Sequence, residues 1–165
     1  MAAWQKMDYP ADKTELYELL AEQLAALMTG ESDAVANMAN MSALLFQALD
    51  QINWAGFYRM MDGMLVLGPF QGNPACIRIP VGKGVCGTAA RERKTQLVPD
   101  VHLFPDHIAC DAQSQSEIVI PLLQEGRLLG VVDIDSPVKN RFDEKDRHGL
   151  EKMAAMLVNA CIWKE

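Results

Sequence analysis

Apolar residues recur at helical spacing in the first third of the chain. Between residues 12 and 28 they return every three or four positions, at Leu16, Leu20, Leu24 and Leu27. This spacing predicts an amphipathic helix, and the same pattern predicts a second helix over residues 32–49. Asp12 with Glu15 is typical of a capping pair, and Gly30 of a helix stop. Two helices are therefore expected before any strand.

The pattern then changes to short apolar and aromatic runs that are typical of strands. "WAGFYRMMDGMLVLGPF" predicts two strands around the dipeptide at 62–63, which suits a tight hairpin turn. A second hairpin is predicted where "EIVIPLL" and "RLLGVVDID" flank residues 124–126. Shorter strands are predicted at "ACIRIP" and "TQLVP", with a short helix, "GKGVCGTAARERK", between them. A final helix is predicted over residues 142–164, with Cys161 on its apolar face.

The predicted order is helix, helix, three strands, helix, three strands, helix. Hairpin connections produce antiparallel pairs, so the class is α+β rather than a doubly wound parallel fold. A chain of 165 residues without repeats or a linker fits one domain over 1–165. Half of the residues are hydrophobic, which is enough for a substantial core.

Charge and hydropathy narrow the possible partners. The formal net charge of -7 argues against a nucleic-acid binder or an anionic membrane surface, since both require basic patches. No stretch approaches the roughly 20 apolar residues of a membrane span, and the first residues lack the apolar core of a secretory leader. A cytoplasmic location is expected, where thiols are kept reduced.

The four cysteines differ in their settings. Cys161 lies on an apolar helix face and is expected only to pack. The other three, Cys76, Cys86 and Cys110, lie in or beside loops, where functional groups concentrate. Three such thiols are compatible with zinc, with His102 or His107 as fourth ligand, although their spacing fits compact zinc modules poorly. They are also compatible with redox chemistry between two thiols that can meet.

Four motifs identify a family resemblance: "GNPACIRI", "GKGVCG", "HIACDAQSQSEIVIP" and "LGVVDIDSP", which occur in this order. They resemble those of the free methionine-R-sulfoxide reductases, single-domain proteins of the GAF fold, over nearly the whole chain. The resemblance implies a six-stranded antiparallel sheet with helices on both faces. It also implies reduction of free methionine R-sulfoxide without a bound cofactor, thioredoxin as the external reductant, and a possible homodimer.

The resemblance implies roles for the three loop cysteines. Cys110 matches the attacking thiol, Cys76 is the favoured resolving thiol, and Cys86 is a possible second partner. Local electrostatics alone favours Cys86 instead, because a helix start beside Lys83 is expected to lower the pKa of its thiol. The family more often has glycine where this chain has Asp106, a difference expected to alter the flexibility of the cysteine loop.

Attack of a thiolate on a sulfoxide requires an acid that protonates the departing oxygen. Asp133 and Asp135 alternate along one strand and share a face, and Glu117 begins the neighbouring strand. Repulsion within this set is expected to keep one carboxyl protonated, and the set also offers a counter-charge for the substrate ammonium. A two-residue turn at 125–126 pairs Glu117 with Ile134, on the wrong face, so the cluster requires a longer turn or a bulge.

An apolar wall for the S-methyl group is expected from Trp54 and Tyr58, which lie four residues apart on one strand and match the aromatic lining of the family. Each of these features also has a simpler interpretation, because aromatic residues fill cores and acidic residues are common at exposed strand ends. The alternative function is a ligand-sensing GAF module without catalysis. Residues 139–146, "KNRFDEKD", loosely resemble a motif of cyclic-nucleotide binders, but a capped helix start explains them equally well.

Overall fold

The computed structural model describes residues 7–164, so the first six residues and Glu165 lie outside the described part of the expected domain. The two predicted amino-terminal helices are present as α1 (Lys13–Leu27) and α2 (Ala34–Ala48), each with an aspartate at its N-cap. A short helix, α3 (Gly84–Glu92), lies between the strands, and α4 (Glu144–Ala160) ends the fold. None of the helices in this range has both the length and the apolar character needed to cross a membrane.

The strands of residues 7–164 form one six-stranded antiparallel sheet with the order β3-β2-β1-β6-β5-β4. The strands are β1 (Trp54–Met61), β2 (Met64–Gly72), β3 (Arg78–Pro80), β4 (Gln96–Val98), β5 (Ser116–Gln124) and β6 (Arg127–Ser136). Both predicted hairpins form tight two-residue turns at 62–63 and 125–126. All four turn residues have a positive φ, the conformation that such turns require.

Helices cover both faces of the sheet, which confirms the predicted α+β class. Helices α1, α2 and α4 form a layer on one face, and the alternating side chains of β1 show the division: Ala55 and Phe57 pack into that layer. Trp54 and Tyr58 point to the opposite face, where α3 packs. The α3 face therefore receives the aromatic residues and strand carboxylates that the sequence singles out.

Two predicted elements are longer than those in the structure. Helix α4 ends at Ala160 rather than reaching residue 164, and β3 includes only the last three residues of "ACIRIP". The shortened strand leaves Cys76 in the loop before the sheet edge. Cys161 follows α4 as its C-cap and is buried in the helical layer, as expected, where Asn37 Nδ2 approaches its Sγ at 3.4 Å.

Candidate active site

A cavity on the α3 face brings together most of the residues that the sequence predicted to act together. It opens between β1, β5, β6 and the loop over residues 104–115. Its lining includes a cysteine, an aromatic pair, a histidine and three carboxyl groups: Cys110, Trp54, Tyr58, His107, Glu117, Asp133 and Asp135. The cavity volume is about 30 Å³, which is enough to hold water in this disulfide-bonded form.

A disulfide bond joins Cys76 to Cys110 at this cavity, across 34 residues of sequence. Both cysteines are half-buried, so an external thiolate can reach the bond. Because these two sulfur atoms are bonded to each other, the zinc set of Cys76, Cys86 and Cys110 is not assembled in this form. Among residues 7–164, the atoms closest to a metal-binding arrangement are Cys86 Sγ and one carboxylate oxygen each of Glu117 and Asp133, all within 4.8 Å of one another.

A bulge aligns the three carboxylates. The register between β5 and β6 shifts next to Leu122, because Leu122 pairs with Gly130 while Leu123 pairs with Leu128. The extra residue on β6 pairs Glu117 with Asp135 instead of Ile134. A bulge was one of the two arrangements expected to bring the cluster together, and it places all three carboxyl groups on the face with the cavity.

Burial raises the pKa of the three carboxyl groups, but to different extents. Desolvation raises the pKa of Asp133 to about 6, and hydrogen bonds from Glu117 and Cys86 partly oppose that rise. Desolvation and then repulsion from Asp133 raise the pKa of Glu117 and of Asp135 well above the usual range for carboxyl groups. Asp133 is therefore the member of the set that ionises most readily, whereas burial and repulsion favour the protonated forms of Glu117 and Asp135.

The charge on Asp133 is poorly balanced by the protein. Its Oδ1 atom is buried and has no hydrogen-bond partner among the described residues. His107 Nε2 lies 3.8 Å from Glu117 Oε2, but burial lowers the pKa of His107, so this imidazole is neutral at pH 7. A buried carboxylate oxygen that accepts no hydrogen bond lowers the stability of the folded protein. A cationic ligand with N–H groups would provide the missing hydrogen bond.

Trp54 and Tyr58 lie on one face of β1, line the cavity and hydrogen-bond to the cysteine segment. The Trp54 and Tyr58 rings stack with centroids 6.0 Å apart. Trp54 Nε1 donates to the Asn73 carbonyl at 3.1 Å, and the Tyr58 hydroxyl donates to the Cys76 carbonyl at 2.9 Å. These bonds position the chain segment of Cys76 against the cavity. The wall also includes Phe70, which stacks on Trp54 at 5.2 Å and was not singled out from the sequence.

The expectation that Cys86 has a lowered thiol pKa was wrong. Cys86 is the third residue of α3 and is buried, and desolvation, followed by the effect of the Asp133 and Glu117 carboxyl groups, raises the pKa of its thiol well above the usual range. Lys83 does not compensate, because its Nζ pairs with Asp106 at the surface, at 3.6 Å. Cys86 Sγ instead lies 3.9 Å from Glu117 Oε1, as a donor inside the carboxyl cluster.

Sequence reasoning missed the residues that hold the cysteine loop. Asp111 Oδ2 accepts hydrogen bonds from Asn53 Nδ2 at 3.1 Å and from Asn73 Nδ2 at 3.2 Å. Asn53 Nδ2 also donates to Ser114 Oγ, at 3.1 Å. Of this set only Asp111 had a sequence signal, its position directly after Cys110 in a polar loop. Asp106 has a φ of 54°, a left-handed conformation that glycine adopts more readily than aspartate.

Comparisons with known proteins agree with this geometry. The GAF domain family matches residues 35–160. Protein YtsP of Bacillus subtilis is 57% identical over 151 residues, which cover 90% of this chain and 93% of that protein. The free methionine-R-sulfoxide reductase of Escherichia coli is 54% identical over 146 residues, 88% of each chain. The free methionine-R-sulfoxide reductase of Neisseria meningitidis, solved in complex with its substrate, is 44% identical with a TM-score of 0.89 over 93% of both chains.

Proposed function

This chain belongs to the free methionine-R-sulfoxide reductase family of GAF-domain proteins, and we propose that it reduces free methionine R-sulfoxide to methionine. One observation carries the proposal: Cys110 lines the same cavity as the buried Glu117 and Asp133 and the half-buried Asp135, and the surroundings of Glu117 and Asp135 raise the pKa of both. A sulfur nucleophile and a proton donor are the two groups that sulfoxide reduction requires.

The reaction proceeds in balanced steps. The Cys110 thiolate attacks the sulfoxide sulfur while Asp135 donates a proton to the oxygen. The oxygen then passes to the Cys110 sulfur as the new bond between the two sulfur atoms breaks, so methionine leaves and Cys110 becomes a sulfenic acid. The Cys76 thiol then attacks the sulfenic sulfur, which releases water and forms the Cys76–Cys110 disulfide. Two electrons pass in total from the cysteines to the substrate sulfur. The presence of this disulfide at the cavity supports the assignment of Cys76 as the resolving thiol.

Selection of the free amino acid is assigned to the carboxylate cluster. Asp133 is ionised at neutral pH, and its Oδ1 lacks a partner among the described residues, so it can accept a hydrogen bond from the substrate ammonium. In a peptide this ammonium has become an amide and no longer offers a charge. Glu117, the neighbour of Asp133, is assigned to the same ammonium-binding role. Trp54 and Tyr58 provide the wall for the S-methyl group.

Cys86 is a weaker candidate for the resolving role. Its thiol is buried within the carboxyl cluster and has a raised pKa, both of which slow disulfide exchange. The proposed reductant that restores the thiols is thioredoxin, and the reaction is proposed to need no bound cofactor. The protein is further proposed to form one domain over 1–165 and to act in the cytoplasm. A homodimer remains a proposal from the resemblance alone.

The test of the activity is a thioredoxin-coupled turnover assay with three compounds. Free methionine R-sulfoxide should be consumed, whereas the free S epimer and a blocked peptide sulfoxide should not. Equal turnover of both epimers would contradict the stereochemical assignment. No turnover by fully reduced protein would favour the alternative, a GAF module that senses a small ligand without catalysis.

The roles of the thiols are tested in a single turnover without thioredoxin. Cys110→Ser should form no methionine, because no other thiol meets the substrate, whereas Cys76→Ser should complete one turnover and then fail to recycle. Mass spectrometry of wild-type protein after stoichiometric sulfoxide should find the Cys76–Cys110 disulfide. Sulfenic acid at Cys86 with Cys110 unmodified would show that the nucleophile has been assigned wrongly.

A further inference from the structure

We propose that Asn73 is a positioning residue for the disulfide-forming step. Its side-chain hydrogen bond to Asp111 ties the segment of Cys76 to the loop of Cys110 and keeps the two thiols close to each other in the reduced protein. The inference rests on the proposed function, because it concerns the second step of that reaction. Asn73 lies three residues before Cys76, and Asp111 directly follows Cys110.

The hydrogen bond joins the same two segments as the disulfide. Asn73 Nδ2 donates to Asp111 Oδ2 at 3.2 Å. A hydrogen bond from the backbone N–H of Gln113 lowers the pKa of Asp111, so its carboxylate is ionised at neutral pH and can only accept. Together with the disulfide, this bond closes a small ring of residues 73–76 and 110–111, whereas the two cysteines are 34 positions apart in the chain.

The sheet fixes the Asn73 end of this ring. Trp54 Nε1 donates to the Asn73 carbonyl at 3.1 Å, and the preceding residue, Gly72, pairs with Trp54 at the start of β1. A Cβ at Gly72 would come within 2.6 Å of the Asn53 carbonyl oxygen, and the φ of Gly72 is 127°. The backbone therefore approaches β1 at a distance that only glycine permits, and the position of Asn73 follows from the sheet.

The Asp111 end is held from the same side. Asn53 Nδ2 donates to Asp111 Oδ2 and to Ser114 Oγ, both at 3.1 Å, while the backbone N–H of Asn53 donates to the Asp135 carbonyl on β6 at 3.0 Å. None of these contacts uses a sulfur atom, so they do not require the disulfide. They raise the effective concentration of one thiol at the other, which favours the disulfide at equilibrium.

The thiol–disulfide equilibrium measures this effect without any sulfoxide. Oxidised dithiothreitol takes two electrons and two protons from the thiols of Cys76 and Cys110, so that their disulfide forms and dithiothreitol becomes a dithiol. Asn73→Ala should lower the equilibrium constant of this reaction roughly three- to tenfold, the effect of one hydrogen bond to a charged group that is exposed to solvent. Acid quenching, alkylation and peptide mapping by mass spectrometry count the disulfide.

The catalytic steps should separate in the same variant. After stoichiometric sulfoxide, Asn73→Ala should form methionine at the wild-type rate, because the cavity lining does not include Asn73. The sulfenic acid at Cys110 should then persist longer than in the wild type, since the Cys76 thiol is held less closely. Trapping of the sulfenic acid with dimedone measures its lifetime.

An exchange of the two side chains distinguishes positioning from a general structural role. Asn73→Asp places a second carboxylate against Asp111 and should lower the equilibrium constant more than Asn73→Ala, because like charges repel. Addition of Asp111→Asn restores an amide opposite a carboxylate, with donor and acceptor exchanged, and should recover most of the loss. Gln96→Ala is the matched control, because Gln96 Nε2 also donates to an exposed carboxylate, that of Glu92, at 3.2 Å.

Gln96 lies on β4, at the opposite edge of the sheet from β3, so the control should leave the equilibrium constant unchanged. An unchanged constant in Asn73→Ala would overturn the proposal. An equal fall in Gln96→Ala would overturn it too, as would a double variant no better than Asn73→Asp alone. Failure of reduced wild-type protein to form methionine would instead refute the proposed function, while the dithiothreitol equilibrium would still decide whether Asn73 pairs the thiols.

Discussion

The division of charge among the buried carboxyl groups makes a specific prediction for the variant Asp133→Asn. In the wild type Asp133 binds the substrate ammonium only when it is ionised, and its pKa is about 6. As the pH falls through 6, protonation of Asp133 should lower kcat/KM about tenfold between pH 7 and pH 5, in addition to the loss caused by protonation of the Cys110 thiolate. Asp133→Asn lacks this ionisation, so the ratio of wild-type to variant kcat/KM should fall about tenfold over the same range.

The same variant should lose activity at neutral pH. A charge-assisted hydrogen bond contributes about 1.5 to 3 kcal/mol, so kcat/KM at pH 7 should fall roughly ten- to a hundredfold. The alkaline limb should move in a definite direction. Asp135 acts in its protonated form, and the negative charge of Asp133 is one cause of its raised pKa. Removal of that charge lowers the pKa of Asp135, so activity should be lost at a lower pH than in the wild type.

The assay is a single turnover by prereduced enzyme between pH 5 and 9, with methionine measured by chromatography. Thioredoxin is omitted because its own thiols titrate in this range. Asp111→Asn is the matched control: it changes another carboxylate of the cavity lining, whose pKa is lowered by a backbone hydrogen bond from Gln113 and which is therefore already ionised at pH 5. A ratio of wild-type to variant kcat/KM that stays constant between pH 5 and pH 7 would refute the assignment of that ionisation to Asp133.

Two further outcomes are expected at the same site, and a third concerns Cys161 in the helical layer. N-acetylation of the substrate should lower kcat/KM about ten- to a hundredfold, because it removes the ammonium, and equal kinetics with the free amino acid would contradict the contact. Asp135→Asn should suppress the single-turnover rate far more than substrate affinity, since an amide cannot donate the proton; a comparable loss in Glu117→Gln would indicate a shared acid. Cys161→Ser should lower the free energy of unfolding by about 1 kcal/mol in a denaturant titration and leave the single-turnover rate unchanged, because its sulfur packs in the helical layer and contacts Asn37 on the face of the sheet away from the cavity.

Local rules are sufficient to predict the framework of the fold. The Asp62–Gly63 turn requires positive φ at two adjacent positions, a demand that this dipeptide meets without help from the rest of the chain. Alternation along β1 likewise places Trp54 and Tyr58 on one face whatever covers them. Alternation also places Asp133 and Asp135 together. These features depend on residues that are close in sequence, which is why they are predictable.

The alignment of Glu117 with Asp135, unlike these features, does not follow from residues that are close in sequence. It depends on one extra residue in β6, near Leu129. The local signal is Gly130, because a glycine inside a strand often marks a bulge, and a Cβ at this position would come within 2.2 Å of the Tyr58 carbonyl oxygen. That signal does not distinguish a bulge from another close approach of two strands, so the register follows only from the folded sheet. Likewise, the anchoring of Asp111 by Asn53 and Asn73 joins residues that are 38 to 58 positions apart.

The thiol of Cys86 shows how tertiary burial reverses a local electrostatic rule, and it gives a last prediction. A helix start and a nearby lysine lower a thiol pKa when the thiol is exposed, but Cys86 is 4% exposed and faces Glu117. Desolvation and the carboxylates therefore outweigh the helix dipole. In fully reduced protein at pH 7.5, iodoacetamide should modify Cys110 and Cys76 first and Cys86 more than tenfold more slowly, as peptide mapping by mass spectrometry will resolve. In 6 M guanidinium chloride the three rates should converge, because only the folded structure separates them. Faster modification of Cys86 than of Cys110 in the folded protein would show that the helix terminus, and not burial, controls this thiol.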